Sequence, residues 1–238
     1  MYGPMKSHGF ARISVWDLVG VTSDLPSLSI TATFRLSQND LTAKMWGADK
    51  KFTYDYAVTL KATDGDSPSK LEIQSTITNT GADAFGFTMA LHSYFPVSDI
   101  SQSCVCSAAP YTLKGLKYVD SLMEGKERKD KICTQEKDEV IFDKEVDRIY
   151  LNVPKLLQVV DKKKGTAVVQ QTDFKDSIVW NPWIEKGKRM AQKDYGEDEY
   201  KEMICVEVAE VGTEGNAIEL KAGEVCKRTV VISSAKAV

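Results

Sequence analysis

Phe52-Thr53-Tyr54-Asp55-Tyr56-Ala57-Val58-Thr59-Leu60 alternates aromatic or aliphatic residues with smaller and polar ones along its whole length. A strand places successive side chains on opposite faces, so this period of two marks a strand with one face turned to a core. Tyr, Phe, Val and Thr also favour extended backbone. The run Ser27-Leu28-Ser29-Ile30-Thr31-Ala32-Thr33-Phe34-Arg35-Leu36 alternates in the same way, and so does Leu71-Glu72-Ile73-Gln74-Ser75-Thr76-Ile77-Thr78-Asn79. Thr63 to Pro68 is rich in turn residues, so the runs on either side of it read as an antiparallel hairpin with a long loop. After the Asn79-Thr80-Gly81 turn, Ala84 to Phe95 continues the pattern. Further strands are predicted at Asp147–Val153, Leu156–Asp161, Ala167–Gln171, Ser177–Asn181, Met203–Val208 and Glu224–Ser233.

No ten-residue stretch carries a helical stripe. Short helical turns are expected near Pro110–Leu113 and Glu185–Gln192, and the charged segments Glu124–Glu139 and Glu185–Glu202 read as surface loops. Lys162-Lys163-Lys164-Gly165 reads as a solvated hairpin tip. With no repeat and no linker, the predicted fold is a single all-β domain over residues 1–238. It is an antiparallel β-sandwich with very little helix.

The 238 residues are 42% hydrophobic and 27% charged, with a net charge of −3. This is a globular composition with no electrostatic drive toward nucleic acid or an anionic membrane. No apolar run reaches membrane-spanning length, and Met1–Arg12 lacks the apolar core of a secretory signal. Five cysteines occur, none in a Cys-x-x-Cys pair, which argues against zinc-ribbon or thioredoxin chemistry. Cys104 and Cys106 are expected on opposite faces of one strand. A reducing, cytoplasmic setting and a monomeric chain are expected.

The candidate chemistry lies in three strings. Only two histidines occur, His8 and His92, and histidine is the side chain best suited to shuttle protons near neutral pH. Around His92, the set Phe87, Met89, Leu91 and Phe95 suits a core, whereas Thr88, Ala90, His92 and Tyr94 face away from it. His92 is either a half-exposed surface residue or one turned toward a polar ligand. In Met203-Ile204-Cys205-Val206-Glu207-Val208-Ala209, the carboxylate of Glu207 shares a face with Cys205 and Ala209. Burial there would raise its pKa toward that of a useful base, unless a structural salt bridge holds it. In Asp176-Ser177-Ile178-Val179-Trp180-Asn181-Pro182-Trp183, two tryptophans beside an acid suit a sugar, or simply a core.

His8-Gly9-Phe10-Ala11-Arg12 with Trp16, Leu91-His92-Ser93-Tyr94-Phe95, Asp147-Arg148-Ile149-Tyr150, Asp176 to Trp183, Ile204-Cys205-Val206-Glu207 and Leu220-Lys221-Ala222-Gly223-Glu224 occur in that order. The series resembles the hexose-6-phosphate mutarotases, the glucose-6-phosphate 1-epimerases of the aldose 1-epimerase superfamily. The resemblance covers nearly the whole chain. It implies a β-supersandwich (galactose mutarotase-like), with Glu207 as general base and His92 as general acid. It also implies His8, Arg12 and Asp176 as substrate-binding residues, with Arg12 near the phosphate, which its guanidinium fork suits. Lys186 is a weaker phosphate candidate beside its reading as a solvated lysine. The implied partner is a small-molecule sugar phosphate. Ring opening by acid and base needs no cofactor and no metal.

Members of that family carry a substantial segment before the His-Gly-Phe-Ala-Arg string, including an Arg-Gly-Gly stretch tied to phosphate binding. Tyr2-Gly3-Pro4 matches only its tail. The resemblance therefore implies absent first strands, an exposed sheet edge or apolar patch, and weakened phosphate affinity. Three other readings remain open. One is a sugar-phosphate binder with little or no catalysis. A second is a metal-dependent oxygenase using His8, His92 and Glu207, although its usual close His-x-acid spacing is absent. The third is a sandwich without a ligand, in which His92, Glu207 and Asp176 would lie apart.

Overall fold

The alternating run around Tyr54 forms the strand Phe52–Lys61 in a computed structural model that describes residues 8–63, 67–123, 132–191, 195–211 and 217–237. The described chain resolves into two compact units. The first comprises Met1–Thr88 with Gly212–Val230, and the second Met89–Val211 with Val231–Val238.

In the first unit, Asp17–Asp24, Ser29–Ser37, Phe52–Lys61 and Lys70–Asn79 form an antiparallel meander in chain order. Partners on adjacent strands share a face, so Leu36, Tyr54 and Ile77 line up across it. The loop at residues 64–66 of the expected hairpin lies outside the described residues. Asp17–Asp24 was not predicted. Its register shifts between Leu18 and Gly20, and a bulge of this kind destroys the sequence alternation. Among the described residues it pairs only with Ser29–Ser37, and all eight of its residues are exposed, Leu18, Val19 and Val21 among them. An exposed strand of this kind leaves backbone hydrogen-bonding groups on its outer side open to further pairing.

A short helix, Asp40–Trp46, also escaped the sequence reading. Asn39 caps it reciprocally: Asn39 Oδ1 accepts from the Thr42 N–H at 3.1 Å, and Thr42 Oγ1 accepts from the Asn39 N–H at 2.9 Å. The helix delivers Trp46 to Phe10, Phe52 and Phe85, with ring centroids 4.9–5.7 Å apart. Phe10 thereby anchors the His8–Arg12 string. His8 and Gly9 both have positive φ, 66° and 64°, and the chain then enters a 3-10 turn at Ala11–Ile13. Trp16 Nε1 donates to the Ala11 carbonyl at 3.0 Å. His8 and Arg12 are both exposed.

Asn79 ties the end of the meander to the Ile218–Leu220 strand. Its side-chain amide is fully buried; Nδ2 donates to the carbonyls of Asp83 and Leu220, and Oδ1 accepts from Gly81 N–H. Asn79→Ala would leave these groups unpaired, each at a cost of about 1–3 kcal/mol when buried. The expected result is a lower urea midpoint, and an unchanged midpoint would show that these bonds contribute nothing net.

The second unit has two sheets. One runs Thr166–Thr172, Leu156–Asp161, Ser103–Cys106, Val140–Ile141. The other runs Ile132–Thr134, Lys117–Asp120, Val146–Leu151, Asp176–Asn181, Met203–Glu210. Met89–Leu91 and Tyr94–Pro96 both pair with the outer side of Met203–Glu210. Val105, Leu157 and Val159 of the first sheet join Tyr150, Val179, Ile204 and Val206 of the second in one buried cluster. The four residues Lys162–Gly165 form the expected hairpin tip between Asp161 and its partner Thr166.

Four local expectations are corrected. Ile132–Thr134 is a strand within the segment read as a surface loop, and residues 124–131 of that segment lie outside the described residues. Glu185–Glu202 is not a loop throughout: it contains most of the helix Trp183–Met190, where a helical turn was expected near Glu185–Gln192, and the 3-10 turn Glu199–Glu202. Pro110–Leu113 is not helical, and the chain turns where Tyr111 N–H donates to the Ala108 carbonyl. Cys104 and Cys106 share a face, because residues two apart in a strand point the same way. Their thiols interact, which raises the Cys104 pKa and lowers that of Cys106. No helix among the described residues is long and apolar enough to cross a membrane.

Candidate active site

The site lies in the second unit and follows from sheet register. In the Asp176–Asn181/Met203–Glu210 ladder, Asp176 faces Ala209, Ile178 faces Glu207 and Trp180 faces Cys205. On the next strand Asp147 faces Trp180. These side chains share one face. On the other edge of Met203–Glu210, Ala90 faces Ala209 and Tyr94 faces Cys205. The two short strands keep one register across the break between them, so the residue midway, His92, falls opposite Glu207. At that break Ser93 N–H donates to the Leu91 carbonyl at 2.9 Å.

His92 Nε2 lies 3.4 Å from Glu207 Oε1. The imidazole side chain is 31% exposed and the carboxylate side chain 9%, so solvent reaches the pair from the histidine side. Leu91 and Phe95 are buried while Ala90, His92 and Tyr94 are exposed, which matches the expected two faces. The imidazole stacks on Tyr94, with centroids 4.9 Å apart and planes 8° from parallel. Trp180 meets it edge-on at 6.0 Å. Beneath them, Cys205 Sγ lies 3.9 Å from His92 Nδ1.

Burial pushes the Glu207 carboxyl from its ordinary 4.5 up to about 8, and the negative charge of Asp147 adds to the shift. The contact to His92 is long for a hydrogen bond, so it offsets this desolvation only weakly. Burial, then the nearby Glu207, also push the Cys205 thiol up, which keeps it a neutral S–H. A carboxylate whose pKa sits near neutrality, facing an accessible imidazole, is an acid–base pair suited to proton transfer.

Asp176 lies one ladder step along the same face. Its Oδ1 accepts from Asn152 N–H at 3.1 Å and its Oδ2 from Val211 N–H at 3.2 Å. Those bonds fix the carboxylate and leave lone pairs for a ligand hydroxyl. Lys186 is not a freely solvated lysine. Its Nζ lies 3.2 Å from Glu145 Oε1, 3.7 Å from Asp147 Oδ2 and 5.4 Å from the Trp180 ring centroid. The two tryptophans divide their roles. Trp180 borders the His92–Glu207 pair, whereas Trp183 packs on Tyr200 and the core. His8 and Arg12 belong to the first unit, in the string held by Phe10 and Trp16.

Sequence reasoning did not find the Cys205–His92 contact or the partners of Lys186. It also missed Tyr195, whose buried hydroxyl has no hydrogen-bond partner among the described residues and lies within electrostatic reach of Glu199, Cys205 and Tyr94. Parity along Met203–Glu210 put Cys205 on the right face, but nothing local links it to His92.

The family model described as aldose 1-epimerase matches residues 2–233. The chain belongs to the aldose 1-epimerase family. A Cenchrus ciliaris protein named "Putative glucose-6-phosphate 1-epimerase" is 35% identical over 241 residues, covering 98% of this chain and 66% of that protein. An Escherichia coli protein of the same name is 27% identical over 208 residues, covering 86% of this chain and 60% of its own length. The chain thus spans somewhat under two thirds of these curated relatives. Among solved structures, a Salmonella typhimurium protein described as a "putative mutarotase (YeaD)" superposes with a TM-score of 0.76 at 24% identity, over 98% of this chain and 69% of that one. A galactose mutarotase-like protein from Lactobacillus casei superposes with a TM-score of 0.69 at 19% identity, over 98% of this chain and 77% of that one. The aldose 1-epimerase member described here therefore has the galactose mutarotase-like antiparallel β fold expected from its sequence.

Proposed function

We propose that the protein interconverts the α and β anomers of a hexose 6-phosphate, glucose 6-phosphate above all. The observation that carries this reading is the partly accessible His92 imidazole 3.4 Å from the buried Glu207 carboxylate. Ionised Glu207 removes the proton from the C1 hydroxyl while protonated His92 donates one to the ring oxygen. The C1–O5 bond breaks and the C1 oxygen becomes the aldehyde carbonyl. The aldehyde turns about the C1–C2 bond and the ring closes on its other face. Glu207 returns its proton to the C1 oxygen, and His92 takes one back from O5. Each group ends as it began and no electrons are transferred.

Asp176 takes sugar hydroxyls, and Trp180 offers an aromatic edge beside the pair. His8 and Arg12 are the other proposed substrate residues, Arg12 through its guanidinium toward phosphate. The 6-phosphate is supported by the names of the relatives and by Arg12.

The test is anomer exchange followed by magnetisation-transfer NMR on glucose 6-phosphate and on glucose. Exchange above the buffer rate with the phosphorylated sugar preferred is expected. His92→Asn should lower the exchange rate by about 10²–10⁴-fold, the usual contribution of a positioned acid. Saturable binding of the sugar phosphate with no exchange would replace the enzyme reading by that of a binding protein.

A further inference from the structure

His92, Cys205 and Glu207 each present one metal-ligating atom, and the three atoms lie within 4.8 Å of one another. Acid–base ring opening uses the imidazole and the carboxylate and has no use for the thiol. Nitrogen, sulfur and oxygen donors this close together are the ligand types of a tetrahedral zinc ion with one position open. We propose that this cluster binds a soft divalent cation, Zn2+, and that the bound ion blocks the site.

Glu207 and Cys205 are held on one buried strand at positions i and i+2, so two ligands are already fixed in place. His92 comes from the neighbouring segment and is the exposed member of the three. Zinc bonds of about 2.0–2.3 Å in a tetrahedron space the ligand atoms roughly 3.3–3.6 Å apart. His92 Nε2 is 3.4 Å from Glu207 Oε1, whereas the ring's other nitrogen, Nδ1, lies 3.9 Å from Cys205 Sγ; one ion takes only one of these nitrogens, and the three ligand atoms of such a set lie within 4.8 Å of one another. Closing that spread on an ion needs the imidazole to turn one nitrogen toward both partners and the ligand atoms to draw together by roughly 1 Å or more, which a partly exposed side chain can do. On binding, the Cys205 S–H bond breaks, an S–Zn bond forms, and the proton leaves to solvent. Imidazole and carboxylate donate lone pairs. Thiolate with imidazole selects zinc over the hard cations Mg2+ and Ca2+. Asp147 adds negative potential beside Glu207, although Lys186 partly offsets it.

The site itself rests on geometry alone; the blockade rests on the proposed epimerase reading. The first experiment uses the purified chain without sugar and Co2+ as a spectroscopic stand-in. One equivalent should produce a thiolate-to-cobalt charge-transfer band in the near ultraviolet that Zn2+ then abolishes. Cys205→Ala and the shape-conserving Cys205→Ser should both lack the band. No band in the wild-type protein, or a band that survives in either variant, overturns the site. Competition with a chromophoric chelator should show Zn2+ affinity falling in His92→Ala by more than about tenfold, the least that even an outer-sphere partner costs such a site. Chelator-buffered Zn2+ should then stop anomer exchange in the wild-type protein. Binding through Cys205 with exchange undiminished overturns the blockade. A wild-type protein that shows the cobalt band but never exchanges anomers refutes the epimerase reading and leaves the metal site standing.

Discussion

Glu207→Gln is expected to lower anomer exchange by about 10³-fold or more, within the range a general base contributes. Glutamine keeps the shape of the side chain and its place in the Met203–Glu210 strand, so sugar affinity should change far less than turnover. The loss therefore belongs in kcat. The pH profile of the wild-type protein provides a second check. Burial and Asp147 hold the carboxyl up near 8, so the limb that reports ionisation of the base should rise with pH and level off above about pH 8. Exchange at the wild-type rate in Glu207→Gln would move the base elsewhere. A rising limb centred near pH 4.5 would show that the carboxylate is not desolvated in solution.

The same substitution is expected to stabilise the fold at alkaline pH. In the unfolded chain Glu207 ionises near 4.5, whereas in the folded chain it ionises only near 8. Between these values the unfolded state releases a proton that the folded state keeps, so stability falls as pH rises through that window. Above pH 8 both states are ionised and the full cost persists. A shift of this size corresponds to a loss on the order of 3–5 kcal/mol. Glutamine never ionises and escapes that cost. Glu207→Gln should melt on the order of 10 °C above the wild-type protein near pH 9, given the usual sensitivity of a chain of this length. Below about pH 4.5 the wild-type carboxyl is protonated in both states, and the two melting points should converge. Equal melting points at both pH values would mean that the carboxylate has no folding cost. A site carboxylate held at the expense of stability fits the proposed role of Glu207, since functional groups are often kept at such a cost.

Some of this was visible in local patterns. Wherever alternation was clean, as in Phe52–Lys61 and Leu156–Asp161, strands form at nearly the expected residues. Asp17–Asp24 was hidden because a bulged strand exposed on both faces has no reason to alternate. Asp40–Trp46, at seven residues, is too short for a helical period to stand out, whereas the helical turn expected near Glu185–Gln192 is present as Trp183–Met190. Ile132–Thr134 was hidden by charged neighbours, although Asn39 and Thr42 did carry a capping signal for the first helix.

For the site, strand parity was sufficient to turn His92 away from the core and to group Cys205 with Glu207, because alternation is a property of the local backbone. The order of the motifs was sufficient to indicate the family. Parity says nothing about which strand lies beside which. His92 and Cys205 stand 113 residues apart in the chain, and only the register of Met89–Leu91 and Tyr94–Pro96 against Met203–Glu210 sets the imidazole opposite the carboxylate. Burial likewise depends on remote residues. Asp147, Trp180 and Tyr94 come from separate strands, and the desolvation and charge around Glu207 exist only once these strands are paired. The sequence by itself determined which side chains could do the chemistry and which way each would point. The tertiary structure alone decided that His92 and Glu207 meet, and that the carboxyl sits in surroundings that raise its pKa.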